Sequence, residues 1–198
     1  MDTISTGIFG GSFNPIHNGH IAIARRLLES AALDEIWFMV SPQNPFKRNS
    51  WLLDDSLRLE IARMAVAGER GMAVSDYEFR LPKPSYMWNT LRGLTAEMPD
   101  RRFTLLIGAD NWQRFGGWRE HEKILAGYPV VIYPRRGSTV DAASLPAGVT
   151  LVDVPLLDIS STEIRGRIGC GLPIDGMVPD VVKEKITEYY GKYVEGMP

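Results

Sequence analysis

The 198-residue sequence has one cysteine, three histidines and almost no charge imbalance. Cys170 alone forms no internal disulfide, which suits a reducing compartment, and its residue type predicts a small buried packing position. Three histidines, with His121 in a segment apart from His17 and His20, are too few to predict a metal site built from protein ligands. No apolar run approaches the roughly 20 residues that span a bilayer. Met1 to Ser5 lack the basic start and apolar stretch of a signal peptide, so a cytoplasmic protein is expected. A net charge of -2 offers no general attraction to nucleic acid or to an anionic membrane. Any polyanion handled here must be small and locally bound. Internal repeats, low-complexity segments and long linkers are missing too, and residues 1–198 read as one domain.

What is present is an ordinary globular composition, 44% hydrophobic and 23% charged, arranged in alternating strand-like and helix-like segments. Strands are predicted over 4–9, 35–40, 72–77, 103–108, 129–133 and 149–153. Helices are predicted over 18–31, 85–98, 161–168 and 181–190, with one more capped by Asp54 and presenting Leu57, Ile61, Met64 and Ala65 inward. Stretches 41–53 and 134–148 read as mobile loops. This alternation predicts an α/β fold: a doubly wound, mainly parallel sheet with helices on both faces and a C-terminal helical segment. Ligands bind such sheets at the carboxyl ends of the strands.

Two segments carry phosphate chemistry. After the first strand comes Gly10-Gly11-Ser12-Phe13-Asn14-Pro15-Ile16-His17-Asn18-Gly19-His20. The paired glycines allow a sharp turn whose N–H groups approach an anion, and the helix starting at Asn18 adds a positive dipole end. His17 and His20, three residues apart at the loop–helix junction, can both face one phosphate group with a charge that adjusts near neutral pH. Near the C-terminus stands Ile159-Ser160-Ser161-Thr162-Glu163-Ile164-Arg165. Ser160 and Glu163 form a capping box, so a helix N-terminus and the hydroxyls of Ser160, Ser161 and Thr162 make a second anion cradle, with Arg165 adding a cation.

The first segment resembles the opening motif of the cytidylyltransferase-like nucleotidyltransferases, Gly-Gly-x-Phe-Asp-Pro-x-His-x-Gly-His, with Asn14 in the aspartate position. The second narrows the resemblance to the bacterial nicotinate mononucleotide adenylyltransferases, and the similarity runs from about Gly7 to Tyr193. It implies a Rossmann-like fold and further site residues. Lys47 ends a Pro-rich loop similar to the family's phosphate-binding one, with Phe46 where histidine is frequent. Ser85 and Tyr86 open a helix near the pyridine nucleotide, followed by Met87 in place of the usual threonine and Asn89 where aspartate is common. Gly108 and Asp110 end the central strand, Gly108 permitting close approach of a nucleotide and Asp110 accepting from ribose hydroxyls. Trp118, preferred to Trp112 on spacing, would stack on the pyridine ring, and Arg135 is placed like a family residue near the substrate phosphate.

The activity implied is transfer of the adenylyl group of ATP to nicotinate mononucleotide, giving deamido-NAD and pyrophosphate. A phosphate nucleophile needs no general base, so positioning and charge stabilisation carry the reaction. His17, His20, Lys47 and Arg165 would act on the phosphates, with backbone N–H groups from Gly10 to Phe13 (through Gly11 and Ser12) bridging both nucleotides. Mg²⁺ is expected to arrive with ATP, since no carboxylate cluster has ligand spacing. The alternatives are another adenylyltransferase on this scaffold, such as the phosphopantetheine-specific kind, and a non-catalytic nucleotide-binding regulator. Partners are small molecules, without nucleic acid or membrane, and self-association stays open.

Overall fold

The computed structural model describes residues 3–42, 52–155 and 157–195. Six strands, β1 (Ile4–Gly11), β2 (Glu35–Val40), β3 (Met72–Ser75), β4 (Arg101–Gly108), β5 (Val130–Tyr133) and β6 (Val149–Leu151), form one parallel sheet in the order β3-β2-β1-β4-β5-β6. The helices are α1 (Asn18–Ser30), α2 (Asp55–Val66), α3 (Met87–Glu97), α4 (Ala109–Trp112), α5 (His121–Gly127), α6 (Ser161–Gly169) and α7 (Asp180–Glu195).

Side chains alternate across the strands into two cores. Phe9, Phe38, Val40, Leu106 and Tyr133 meet the apolar residues of α1, α2, α6 and α7 on one face. Ile8, Met39, Leu105, Ile107 and Ile132 meet α3 and α5 on the other. A parallel sheet covered on both faces needs strands apolar on both sides, which is why β4 reads as nearly continuous hydrophobe. The winding direction reverses between β1 and β4, which are neighbours in the sheet. The carboxyl ends of these two strands therefore flank a crevice.

The predicted elements exist with shifted ends. β1 extends through Gly10 and Gly11, which pair with Met39 and Val40. The third strand stops at Ser75 and passes into a 3-10 turn, Tyr77–Arg80. The short helices α4 and α5 have too few periodic positions to be read from sequence. On α2 the buried residues are Arg58, Leu59, Ile61, Ala62, Ala65 and Val66, while the expected Leu57 and Met64 are only half-buried. This helix packs against β2, β3 and α7 together, so its covered surface is wider than one stripe. Cys170 is exposed, contrary to its expected packing role, because it caps α6 beyond the last inward residue, Ile168. The stretch 134–148 is a loop containing the 3-10 turn Ala142–Ser144.

Candidate active site

Two adjoining cavities open at the crevice, of about 520 and 420 Å³, and both are lined by Gly10, Gly11, Asn111 and Tyr133. The larger is rich in the donor groups that suit phosphate oxygens. It brings together Gly10 to Asn14, His17, His20, Asp110, Arg135, Ser160 to Thr162 and Arg165. The first turn and the start of α6 lie 146 residues apart in sequence, yet Ser161 Oγ donates to the Pro15 carbonyl at 2.9 Å. Arg165 Nη1 donates to the Asn14 carbonyl at 2.7 Å. Ser160 caps α6, accepting from the Glu163 N–H at 3.1 Å, as the capping pattern predicts.

The turn holds strain as well as contacts. Phe13 sits at φ 43°, the left-handed region that bulky residues avoid. Its ring packs edge-on against Phe9, Phe38 and His20, which holds the backbone there. His17 is the N-cap of α1; its N–H donates to His20 Nδ1 at 3.2 Å, and the two rings stack with centroids 3.7 Å apart. That bond leaves the proton of a neutral His20 on Nε2. Burial, aided by the positive charge of Arg135, pulls the His17 pKa down to about 3. His17 is therefore a neutral hydrogen-bond donor, not the group with adjustable charge that its residue type suggests.

Gly108 lines neither cavity. A Cβ there would stand 2.5 Å from Asp110 Oδ1 and 2.8 Å from Arg135 Cγ. Its bareness makes room for those two side chains, paired with Nε–Oδ1 3.7 Å apart. Arg135 faces the phosphate-type cavity.

The smaller cavity holds Ser85, Tyr86 and Trp118, together with Met87 and Arg119. Trp112 lines neither cavity and stacks on Phe115 at 5.2 Å. Arg119 lies over the Tyr86 ring, 5.0 Å from its centre. Buried Ser12 Oγ, His17 Nδ1 and Trp118 Nε1 have no hydrogen-bond partner among the described residues, although buried polar atoms are normally satisfied. All three belong to cavity-lining residues. Lys47 and Phe46 lie outside the described residues.

Sequence reasoning missed Ser41, Glu78, Asn111 and Arg119, which line these cavities. Ser41 follows the carboxyl end of β2, a position the architecture itself flags. Glu78 and Arg119 belong to no motif singled out in the sequence.

A sequence model described as "Cytidylyltransferase-like" matches residues 8–167. A probable nicotinate-nucleotide adenylyltransferase of Bacteroides fragilis (strain YCH46) is 46% identical over 188 residues, 95% of this chain and 94% of the relative. The protein of the same name from Bacteroides thetaiotaomicron is 45% identical, covering 94% of this chain and 92% of the relative. The chain belongs to the nicotinate-nucleotide adenylyltransferases of the cytidylyltransferase-like family. Among solved structures, the nicotinic acid mononucleotide adenylyltransferase of Plasmodium falciparum in complex with NaAD superposes with a TM-score of 0.78 at 20% identity, covering 96% of each chain. At that identity the likeness is one of fold. Membership in the family makes this chain a nucleotidyltransferase, and the α/β expectation agrees with the observed sheet. No helix among the described residues is long and apolar enough to cross a membrane.

Proposed function

We propose that this protein transfers the adenylyl group of ATP to nicotinate mononucleotide, releasing pyrophosphate and deamido-NAD in NAD biosynthesis. The observation that carries the reading is the meeting of two cavities, one rich in phosphate-type donors and one aromatic, across Gly10 and Gly11. An oxygen of the mononucleotide 5′-phosphate attacks the α-phosphorus of ATP. The new P–O bond forms as the bond to the β-phosphate bridging oxygen breaks, and pyrophosphate leaves with that electron pair.

His17 and His20 donate to the α-phosphate region, while Arg165 and Lys47 balance the triphosphate charge. Gly10 to Phe13 supply backbone N–H groups, and Ser160 to Thr162 hold the far phosphates. Asp110 serves the ribose and Arg135 the acceptor phosphate. In the acceptor cavity Trp118 stacks on the pyridine ring, with Ser85 and Tyr86 beside it. Arg119 places a cation in the same cavity, which favours nicotinate, with its carboxylate, over the uncharged nicotinamide.

Asp110 is the only carboxylate among the described residues lining the phosphate cavity, so Mg²⁺ enters with ATP, held mainly by phosphate oxygens and water. The chain works as one cytoplasmic nucleotidyltransferase domain on small-molecule substrates.

The test is pyrophosphate release with ATP against nicotinate mononucleotide, nicotinamide mononucleotide and phosphopantetheine, with and without Mg²⁺. Fastest turnover with nicotinate mononucleotide supports the reading. Preference for phosphopantetheine, or nucleotide binding without pyrophosphate release from any acceptor, overturns it.

A further inference from the structure

We propose that Arg58 and Glu78 grip Ser41 from opposite sides and so set the spacing between the ATP cavity and the acceptor cavity. The substrates named in this inference rest on the adenylyl-transfer reading above.

Arg58, in the first turn of α2, is wholly buried. Its Nε donates to the Leu53 carbonyl at 2.9 Å, and its Nη2 to Asp55 at 2.6 Å. Nη1 reaches the Ser41 carbonyl at 3.1 Å and also the carbonyl of Ser12. A buried guanidinium is tolerated only when its donors are met, and these partners are mostly backbone carbonyls of site segments. Ser12 lines the ATP cavity, and Ser41 lines the acceptor cavity. One rigid planar fork therefore ties a wall of each.

Glu78 approaches Ser41 through its other end. Only 2% exposed, it accepts from Ser41 Oγ at 2.5 Å and from Thr90 Oγ1 at 2.8 Å. Thr90 stands in α3, whose N-cap Tyr86 lines the acceptor cavity. The Ser41 N–H donates to the Gly11 carbonyl at 2.9 Å, so all three polar groups of Ser41 are held. A continuous chain from Ser12 through Arg58, Ser41 and Glu78 to Thr90 links residues around both cavities.

That linkage bears on the reaction because attacking oxygen and α-phosphorus must approach within about 3–3.5 Å, and small misplacements slow such steps severely. Arg58, which lines neither cavity, is a positioning residue that acts through Ser41 and the segments it joins; Glu78 lines the acceptor cavity and also positions Ser41. A purely structural role would weaken every ligand alike. A spacing role weakens most the ligand that spans both cavities.

Isothermal titration calorimetry on wild type, Arg58→Lys, Glu78→Gln, Ser41→Ala and the Arg58→Lys/Glu78→Gln pair separates these. The probes are a non-hydrolysable ATP analogue, nicotinate mononucleotide and deamido-NAD. Each single variant should lose about tenfold in deamido-NAD affinity and under about threefold for either single-cavity ligand. The paired variant should lose no more than about threefold beyond the worse single one, since both act through Ser41. Unchanged deamido-NAD affinity, parallel losses for all three ligands, or losses that multiply in the pair overturn the inference. If Arg58→Lys fails to fold, Ser41→Ala, which removes one hydroxyl and keeps the backbone contacts, carries the same comparison. Wild type that does not bind deamido-NAD overturns the functional reading; wild-type binding with unaffected variants overturns this inference alone.

Discussion

The Tyr190 hydroxyl donates to Asn14 Oδ1 at 2.7 Å, joining residues 176 apart in sequence. The same oxygen accepts from the Leu53 N–H at 3.1 Å, so the last helix and the segment before α2 both converge on the phosphate turn. Tyr190 is wholly buried, and burial pushes its phenol pKa up, keeping the hydroxyl a donor. Asn14 thus offers these two donors an acceptor oxygen that an aspartate would offer as well.

Tyr190→Phe should therefore lower unfolding stability by about 1–3 kcal/mol, the range for removing one partner of a buried hydrogen bond. Urea denaturation reads this directly. A stability within experimental error of wild type would show that the bond contributes nothing.

Asn14→Asp should fold and gain stability at pH 7, since a carboxylate accepts from the same two donors more strongly. Those donors lower the folded pKa of the new carboxyl below its unfolded value of about 3.9, so the gain holds above that pH and fades as pH falls further. A denaturation series from pH 7 to pH 3 that shows no such gain would refute the account of this position.

Gly19 illustrates a separation of stability from activity. A Cβ on it would stand 3.0 Å from the His17 ring, tighter than ordinary contact. Gly19→Ala should raise helix stability by up to about 1 kcal/mol while displacing His17. Turnover should then fall by about tenfold or more, the scale of one lost transition-state contact. Steady-state kinetics beside a melting curve tests both halves, and full activity would remove His17 from the reaction.

His17 carries a pH prediction. With a folded pKa near 3, it stays neutral while the unfolded side chain protonates below about 6.5. The unfolded state then binds the extra proton, so its contribution to stability is intact above that pH and drains away as pH falls toward 3. His17→Asn should make stability less steep between pH 7 and 4. In the wild type, NMR of the His17 ring should show no titration above pH 5; a midpoint near 6 would contradict the buried neutral form.

Trp118→Ala should raise KM for nicotinate mononucleotide by about tenfold, from lost ring stacking, with KM for ATP little changed. Equal effects on both substrates would argue against separate cavities.

Much of this molecule could be read along the chain because its determinants are local. β2 is a continuous apolar run between polar ends, and it appears at the predicted residues. Ser160 lies three residues before the N–H it accepts from, so the start of α6 was legible. The glycine turn and its two histidines likewise occupy one short segment. The neutral state of His17 was not legible, since it depends on burial and on Arg135, 118 residues away. The neighbours of Gly108 were not legible either, since Arg135, beside its open face, comes from the loop after β5. Arg58 and Glu78 look like ordinary surface charges in sequence, and only packing shows both buried around Ser41. Periodicity, capping and turn chemistry act within a few residues, so sequence alone determined the longer elements, the glycine turn and the capped start of α6. Desolvation and side-chain pairing act across the crevice between β1 and β4, and there the tertiary structure alone decided charge state, cavity walls and spacing.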